Sequence, residues 1–97
     1  MANYTITCWQ DIPSMVEAKV GRKRHKVQLS ERFQELIDRV AMRSKLVGTD
    51  EYLALWSKGE VQHRDGSPEQ VAQEVCAELE ARFEEIRAAA LASAQAD

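Results

Sequence analysis

The first third of the chain alternates between apolar and polar residues, a period of two that is typical of β-strands. Residues 4–9, 14–20 and 25–29 show this alternation, and the first of these segments is rich in the β-branched and aromatic residues that favour strands. Pro13 interrupts the pattern, because proline lacks an amide donor and pushes the residue before it towards an extended conformation. Residues 21–24 are predicted as a hairpin loop. The pattern therefore predicts three antiparallel strands.

Polar residues of the second and third strands fall on one side of the predicted hairpin. Its apolar side holds Val16, Ala18, Val20, His25, Val27 and Leu29. Because side chains alternate between the two faces of a strand, we expect the polar residues to share the opposite, wetter face. These residues are Glu17, Lys19, Lys26 and Gln28.

Beyond residue 29 the apolar period changes from two to 3.6 residues, which predicts helices. Ser30 is a suitable N-cap for a first helix that ends near Gly48, and a shorter helix starts at Thr49. The residues Ser67-Pro68 open a third helix, since they combine an N-cap with proline at the first helical position. If its apolar seam is helical to about residue 92, this helix is roughly 37 Å long at about 1.5 Å per residue.

These elements together predict an α+β fold, with a small antiparallel sheet of three to four strands, two to three helices packed on one face and a long C-terminal helix. Residues 60–64 are either a short fourth strand or a linker. We expect one domain over residues 1–97, with residues 88–97 as a frayed or disordered tail because they are rich in alanine and have little to bury. The seam of the last helix can pack on the sheet or pair with a second copy, so both a monomer and a homodimer are open.

The charge of the chain is distributed unevenly. The chain has 97 residues and a net charge of −3, but residues 19–26 hold five of its 13 basic side chains and no acid. The other residues hold 8 basic against 16 acidic side chains, a net charge of −8. An acidic domain with one positive hairpin suits an acidic protein surface or a phosphorylated ligand. Nucleic acid and a solvated hairpin tip without function are the two alternatives.

A second candidate contact lies at the end of the first strand. Trp9 beside Asp11 and Pro13 could anchor an interface, because a rigid aromatic side chain supplies contact area at little entropic cost. The simpler interpretation is that Trp9 packs on the sheet while Asp11 and Pro13 shape a turn. Tyr52 and Trp56, four residues apart, could form a ligand-stacking platform, but an amphipathic helix more often uses such a pair to cover the core.

The residue types do not assemble into known reactive sites. Two histidines and two cysteines are spaced too widely for a zinc module, and no glycine-rich loop could cradle a phosphate. These four residues are Cys8, His25, His63 and Cys76. The glutamates of the last helix lie on a solvated face, not in a desolvated pair. We therefore predict no metal, no cofactor and no catalytic residues. Because the chain shows no signal peptide, membrane span or disulfide framework, we expect a cytoplasmic protein.

Five segments together carry a resemblance to a known family. They are residues 4–9, 11–13, 18–22, 27–34 and 37–42. In these segments the chain resembles the short bacterial family labelled "virulence factor". The resemblance covers roughly the first sixty residues well and the last helix loosely. It implies an accessory or docking role, with an accessory place in a corrinoid- or folate-dependent one-carbon methyl-transfer system as one form of that role. The resemblance carries no catalytic residues.

The sequence thus predicts a non-catalytic protein-interaction module of the bacterial cytoplasm, whose partner is an unidentified protein. A small nucleic-acid-binding regulator that uses the same hairpin is the alternative. We expect the basic hairpin and the neighbouring loop to form one contact surface. The predicted partner-binding residues are Lys19, Arg22, Lys23, Arg24, Lys26, Trp9, Asp11 and Pro13.

Overall fold

A five-stranded antiparallel sheet lies at the centre of the computed structural model, which describes residues 2–46 and 48–95, with side chains through Ala92. The strands are β1 (Ala2–Trp9), β2 (Ile12–Val20), β3 (Lys23–Gln28), β4 (Trp56–Lys58) and β5 (Gln62–Arg64). Their order is β3-β2-β1-β4, and β5 also pairs with β1. The short strands β4 and β5 meet the two ends of β1 in turn, at residues 7–9 and 2–4. The predicted α+β class is confirmed.

The structure has four helices besides the sheet. They are α1 (Glu31–Arg43), α2 (Asp50–Ala54), α3 (Pro68–Ala81) and α4 (Phe83–Gln95). The predicted N-caps of α2 and α3 are formed in the structure. The side chains of Thr49 and Ser67 accept hydrogen bonds from the backbone N–H groups of Tyr52 and Gln70, respectively. Among the described residues, no helix combines the length and the apolar character needed to cross a membrane.

The C-terminal helical segment bends at Arg82 instead of forming one straight rod. Arg82 has φ −98° and ψ 10°, and its N–H donates to the carbonyl of Leu79, three residues back, at 3.1 Å. This tighter bond closes α3, and α4 then resumes in a new direction. As a result α3 packs on the sheet, whereas α4 leaves the sheet and packs against α1. The expectation of one helix from residue 68 to about residue 92 is corrected in this respect.

The chain is helical up to Gln95, the end of α4. Ala90 and Leu91 of α4 pack against the larger of two apolar clusters. The prediction that residues 88–97 fray concerns their behaviour in solution and stays a prediction. The last two residues of this segment, Ala96 and Asp97, lie outside the described part of the chain.

Two apolar clusters form the core. The first joins one face of the sheet to α3, and it contains Ala2, Tyr4, Val16, Ala18, Val71, Ala72 and Val75. The second joins the β1–β2 turn to α1 and α4, and it contains Trp9, Ile12, Leu29, Phe33, Leu36, Ile37, Val40, Ala41 and Phe83. Cys76 and Leu79 of α3 pack against both clusters, so α3 ties the sheet to the helices.

A β-bulge at Ser14 lets Pro13 lie inside β2. Thr7 pairs with Met15 and Cys8 pairs with Pro13, which leaves Ser14 as the extra residue. The carbonyl of Ser14 accepts a hydrogen bond from the N–H of Leu29 at 2.9 Å. The predicted interruption over residues 10–13 is therefore shorter in the structure, because a bulge tolerates proline and the turn itself is only Gln10 and Asp11.

One arginine on the last strand clamps the middle of α3. The guanidinium of Arg64 donates to both carboxylate oxygens of Glu78, at 2.6 and 3.0 Å, and lies 3.7 Å from Glu74. It also lies 5.6 Å from the centre of the Tyr4 ring. The Glu78 carboxyl has a lowered pKa, chiefly because Arg64 hydrogen-bonds to it. This clamp ties β5 to α3.

A second arginine clamps the C-terminal end of α3 to the start of α1. The carboxylate of Glu80 accepts hydrogen bonds from the N–H and the hydroxyl of Ser30, both at 2.8 Å, and from Arg32 at 2.9 Å. Arg32 also lies 4.4 Å from the centre of the Phe83 ring, which meets Phe33 edge to face at 5.0 Å. Ser30 is the N-cap residue of α1, as predicted, but its hydroxyl bonds to Glu80 and not to its own helix.

Glu80→Gln should destabilise the protein at neutral pH. Burial of this carboxyl raises its pKa, but the hydrogen bonds from Ser30 and Arg32 outweigh burial, so its pKa in the folded state is below the ordinary 4.5. A lowered pKa means that the stabilisation is present above pH 4.5 and is lost as the pH falls through the folded-state value. Charge-assisted hydrogen bonds of a partly exposed group suggest a loss of about 1 kcal/mol in the free energy of unfolding.

Urea unfolding at neutral and at acidic pH measures this loss. Glu35→Gln, which neutralises an exposed carboxylate of α1, is the matched control and should leave stability nearly unchanged. Equal losses in the two variants at neutral pH, or a loss in Glu80→Gln that does not shrink in acid, would contradict the role of the clamp.

Candidate binding surface

The two faces of the sheet have opposite chemistry. The face that holds Tyr4, Val16 and Ala18 is covered by α3 and buried. On the other side, the half of the sheet near the β2–β3 turn carries polar side chains that are exposed or half-buried, and we call this surface the open face. Strand register assigns to it Asn3, Thr5, Glu17, Lys19, Arg24, Lys26, Lys58 and His63.

The basic hairpin is longer and its turn tighter than predicted. The turn consists only of Gly21 and Arg22, and the φ of +58° at Gly21 suits glycine because it has no Cβ. Lys23 and Arg24, predicted as loop residues, lie in β3. The register pairs Lys19 with Arg24. The prediction that Glu17, Lys19, Lys26 and Gln28 share the wetter face agrees with this register.

The hairpin cations divide between two sides of the sheet. Lys19, Arg24 and Lys26 lie on the open face, whereas Lys23 pairs with Val20 and lies towards the side of α3. Arg22 is exposed in the turn. The open face therefore holds three of the five cations, and β4 adds Lys58 as a fourth.

The predicted loop contact at the other end of β2 does not join this surface. Trp9 is 0% exposed, and its indole N–H donates to the carbonyl of Tyr52 at 2.9 Å. Pro13 is buried, and only Asp11 is exposed. Since β2 is nine residues long, the turn at Asp11 and the turn at Arg22 are about 25–30 Å apart at about 3.3 Å per residue. The structure thus matches the alternative that Trp9 packs inside while Asp11 and Pro13 shape the turn region.

The aromatic pair at residues 52 and 56 also covers the core. The Tyr52 ring lies 5.5 Å from that of Trp9 and 6.4 Å from that of Trp56. Trp56 belongs to β4 and not to α2, because its backbone pairs with Trp9. The two residues are therefore not on one helical face, and the expectation that one amphipathic helix carries both is corrected by this strand.

One row of side chains crosses the whole sheet at the hairpin end of the open face. Direct register partners place Arg24, Lys19, Asn3 and His63 side by side on β3, β2, β1 and β5, and we call them the cross-strand row. His63 Nδ1 lies 2.6 Å from Asn3 Oδ1. A cavity of about 220 Å³ opens beside the row, and its lining includes Asn3, Lys19, Lys58 and Glu17.

Glu17 is the acidic residue of the open face, and two lysines hold it. Its carboxylate lies 3.7 Å from Lys26 Nζ and 3.9 Å from Lys58 Nζ, and its side chain is only 14% exposed. Lys26 and Lys58 thus already balance the charge of Glu17, so the cross-strand row keeps its positive charge.

Basic residues that hold the fold and basic residues of the hairpin differ in their partners. Arg32 and Arg64 have carboxylates within 3 Å, as described above. In the parts of the chain that the structure describes, Lys19 and Arg24 have no carboxylate within 4.0 Å. Like charges directly opposite each other on neighbouring strands are destabilising. Because Lys19 and Arg24 are register partners of like charge, we expect them to repel each other, and an external anion would relieve this repulsion.

The cysteines and histidines do not form a reactive cluster in the structure. Burial raises the pKa of the Cys8 and Cys76 thiols, which disfavours the reactive thiolate. Register places His25 on the side of α3 and His63 on the open face. Within residues 2–46 and 48–95, no three His, Cys, Asp or Glu side chains come close enough together to hold a metal ion.

Comparison with known proteins identifies the family. A family model described as "Virulence factor" matches residues 7–92, which is most of the 97-residue chain. The chain belongs to the virulence factor family. Neither the curated proteins nor the solved structures gave a match. The match to the virulence factor family includes both hairpin strands β2 and β3, and it begins after Asn3.

Arg24→Glu should stabilise the isolated protein. The substitution turns a like-charge pair with Lys19 into an opposite-charge pair, which gains a few tenths of a kcal/mol in the free energy of unfolding. Lys23→Glu is the matched control on the same strand, because it makes the same charge change opposite the uncharged Val20. Thermal and urea unfolding measure both variants. If Arg24→Glu is less stable than Lys23→Glu, the Lys19–Arg24 pair is not a source of repulsion.

Proposed function

We propose that this member of the virulence factor family is a non-catalytic interaction module that binds an anionic protein partner across the open face, in the bacterial cytoplasm. The observation that carries the proposal is the directly opposed pair Lys19 and Arg24, exposed and without a carboxylate among the described residues. Repulsion within the free protein is relieved when an anion binds both side chains. The proposal thus gives a use to two like charges that the strand register places opposite each other.

The geometry favours an anionic protein segment over a long polyanion. The residues outside the hairpin carry a net charge of −8, and they would repel a nucleic acid that extends beyond the open face. At physiological salt, charges further away than about 8 Å are largely screened, so a short acidic or phosphorylated segment interacts mainly with the open face. This difference supports a protein partner.

Nucleic acid is the second candidate, and one observation favours it. Trp56 is half-buried at one end of β4, two residues before Lys58 of the open face. An aromatic side chain beside cations can stack on a base. Binding of this kind would weaken linearly on a plot of log affinity against log salt concentration, so an anisotropy titration with single-stranded oligonucleotides distinguishes it. The proposal of an accessory role in corrinoid or folate one-carbon chemistry rests on the family resemblance alone.

Lys19→Glu with Arg24→Glu should abolish capture of the partner. Replacing two charge-assisted contacts by repulsion weakens binding at least about tenfold. The measurement is affinity purification of the tagged protein from its own host, with the captured proteins identified by mass spectrometry. The expected result is loss of one anionic protein from the variant while the variant remains folded.

Arg39→Glu with Arg43→Glu is the matched control, because it makes the same charge change at two exposed positions of α1. This control should retain the partner. An unchanged capture profile in the Lys19/Arg24 variant, or an equal loss in the control, would overturn the proposal.

A further inference from the structure

The cross-strand row differs from the rest of the open face in having donors along its length. Arg24 and Lys19 contribute cations, and Asn3 and His63 continue the line on β1 and β5. Neighbouring strands are about 4.8 Å apart, so the four residues span about 14 Å. We infer that this row binds a phosphorylated side chain of the anionic partner, an inference that rests on the proposed function.

Charge matching favours a phosphomonoester over a carboxylate. The facing side chains of Lys19 and Arg24 concentrate two positive charges at one position of the sheet. A carboxylate carries a single negative charge and balances only one of them. A phosphoryl group carries about −1.5 to −2 at neutral pH and has three strong acceptor oxygens, so it can balance both. Arginine adds two parallel N–H donors, which fit phosphate oxygens.

Asn3 contributes a donor whose orientation is set by His63. The Asn3 oxygen can only accept a hydrogen bond, so the hydrogen on the 2.6 Å contact belongs to His63 Nδ1. With its oxygen engaged in this way, Asn3 turns its NH₂ group away from His63. The amide nitrogen is then available to a phosphate oxygen beside Lys19, its register partner on β2. His63 is therefore a positioning residue for Asn3.

Glu17 lines the same cavity as Asn3 and Lys19, but its negative charge is balanced by two lysines outside the cross-strand row. Glu17 lies two residues from Lys19 on the same face of β2, but its carboxylate is balanced by Lys26 and Lys58 at 3.7 and 3.9 Å. Lys26 and Lys58 therefore pair with Glu17, whereas Lys19 and Arg24 are available to bind the ligand. Exposed Arg22 in the adjacent turn adds a further positive charge near the end of the row.

Fluorescence anisotropy with four labelled peptides of otherwise identical sequence tests the inference. One contains phosphoserine, and the other three contain serine, glutamate or a pair of aspartates at that position. The full-length protein should bind the phosphoserine peptide about tenfold more tightly than the aspartate-pair peptide of equal charge, since it gains at least one charge-assisted hydrogen bond. Arg24→Gln should remove this preference, whereas Lys23→Gln on the other side of β3 should keep it.

Two substitutions of His63 test its positioning role. His63→Leu cannot donate to Asn3 and should lower the affinity for the phosphoserine peptide. His63→Gln can donate through its amide and should restore part of that affinity. The peptide with aspartates should respond less, because it makes less use of Asn3. Equal affinities of the two histidine variants would remove the positioning role of His63 and overturn that part of the inference.

The outcomes separate the inference from the proposed function. The phosphoserine and aspartate-pair peptides could bind equally, and both could lose binding in Lys19→Glu and Arg24→Glu. This result would overturn the phosphoryl site but would still support an acidic partner. Absence of binding by all anionic peptides would overturn both. A labelled single-stranded oligonucleotide that binds more tightly than the phosphoserine peptide, and is lost in Arg24→Gln, would assign the row to nucleic-acid phosphates and overturn the inference.

Discussion

Burial of Tyr4, Val16 and Ala18 beneath α3 fixes the register of the first three strands, and the open face depends on this register. A slip by one residue would move these apolar side chains to solvent and bring Lys19 under α3. The cost of exposing a buried cluster is several kcal/mol, at about 25 cal/mol per Å² of apolar surface. The opposed pair of Lys19 and Arg24 costs much less than that, so packing on one face of the sheet imposes the charge arrangement on the other.

Salt bridges divide the basic residues of the chain into two groups with different roles. Arg32 and Arg64 bind glutamates of α3, and these clamps join the helix to α1 and β5. Lys26 and Lys58 hold Glu17 flat on the sheet. The hairpin pair is left for an external ligand. The positive charge of the hairpin pair therefore stays local, because the glutamates that pair with Arg32 and Arg64 belong to contacts that hold the fold.

Local patterns were sufficient for much of the fold and for part of the site. Alternation predicted β1–β3 and the wetter face of the hairpin, and capping residues predicted where α2 and α3 begin. No glycine or proline signals the bend at Arg82, beyond which α4 packs against α1. Asn3, His63 and Lys58 come together on the open face through pairing of β1 with strands 47 to 62 residues away, which no local pattern encodes. Local pattern left Trp9 open as an interface anchor or a packed residue, because its buried contact with Tyr52 is also distant in sequence.

Mapping of backbone and side-chain amide resonances by NMR, during titration of the isotope-labelled protein with a phosphoserine peptide, tests the central claim most directly. The account predicts that the largest shifts belong to Asn3, Lys19 and Arg24, including the side-chain NH₂ of Asn3, while the outer surfaces of α1 and α4 do not respond. Shifts concentrated instead around the cavity between the β1–β2 turn and α4, which is lined by Asp11 and Arg82 among others, would contradict the claim that the open face is the binding surface.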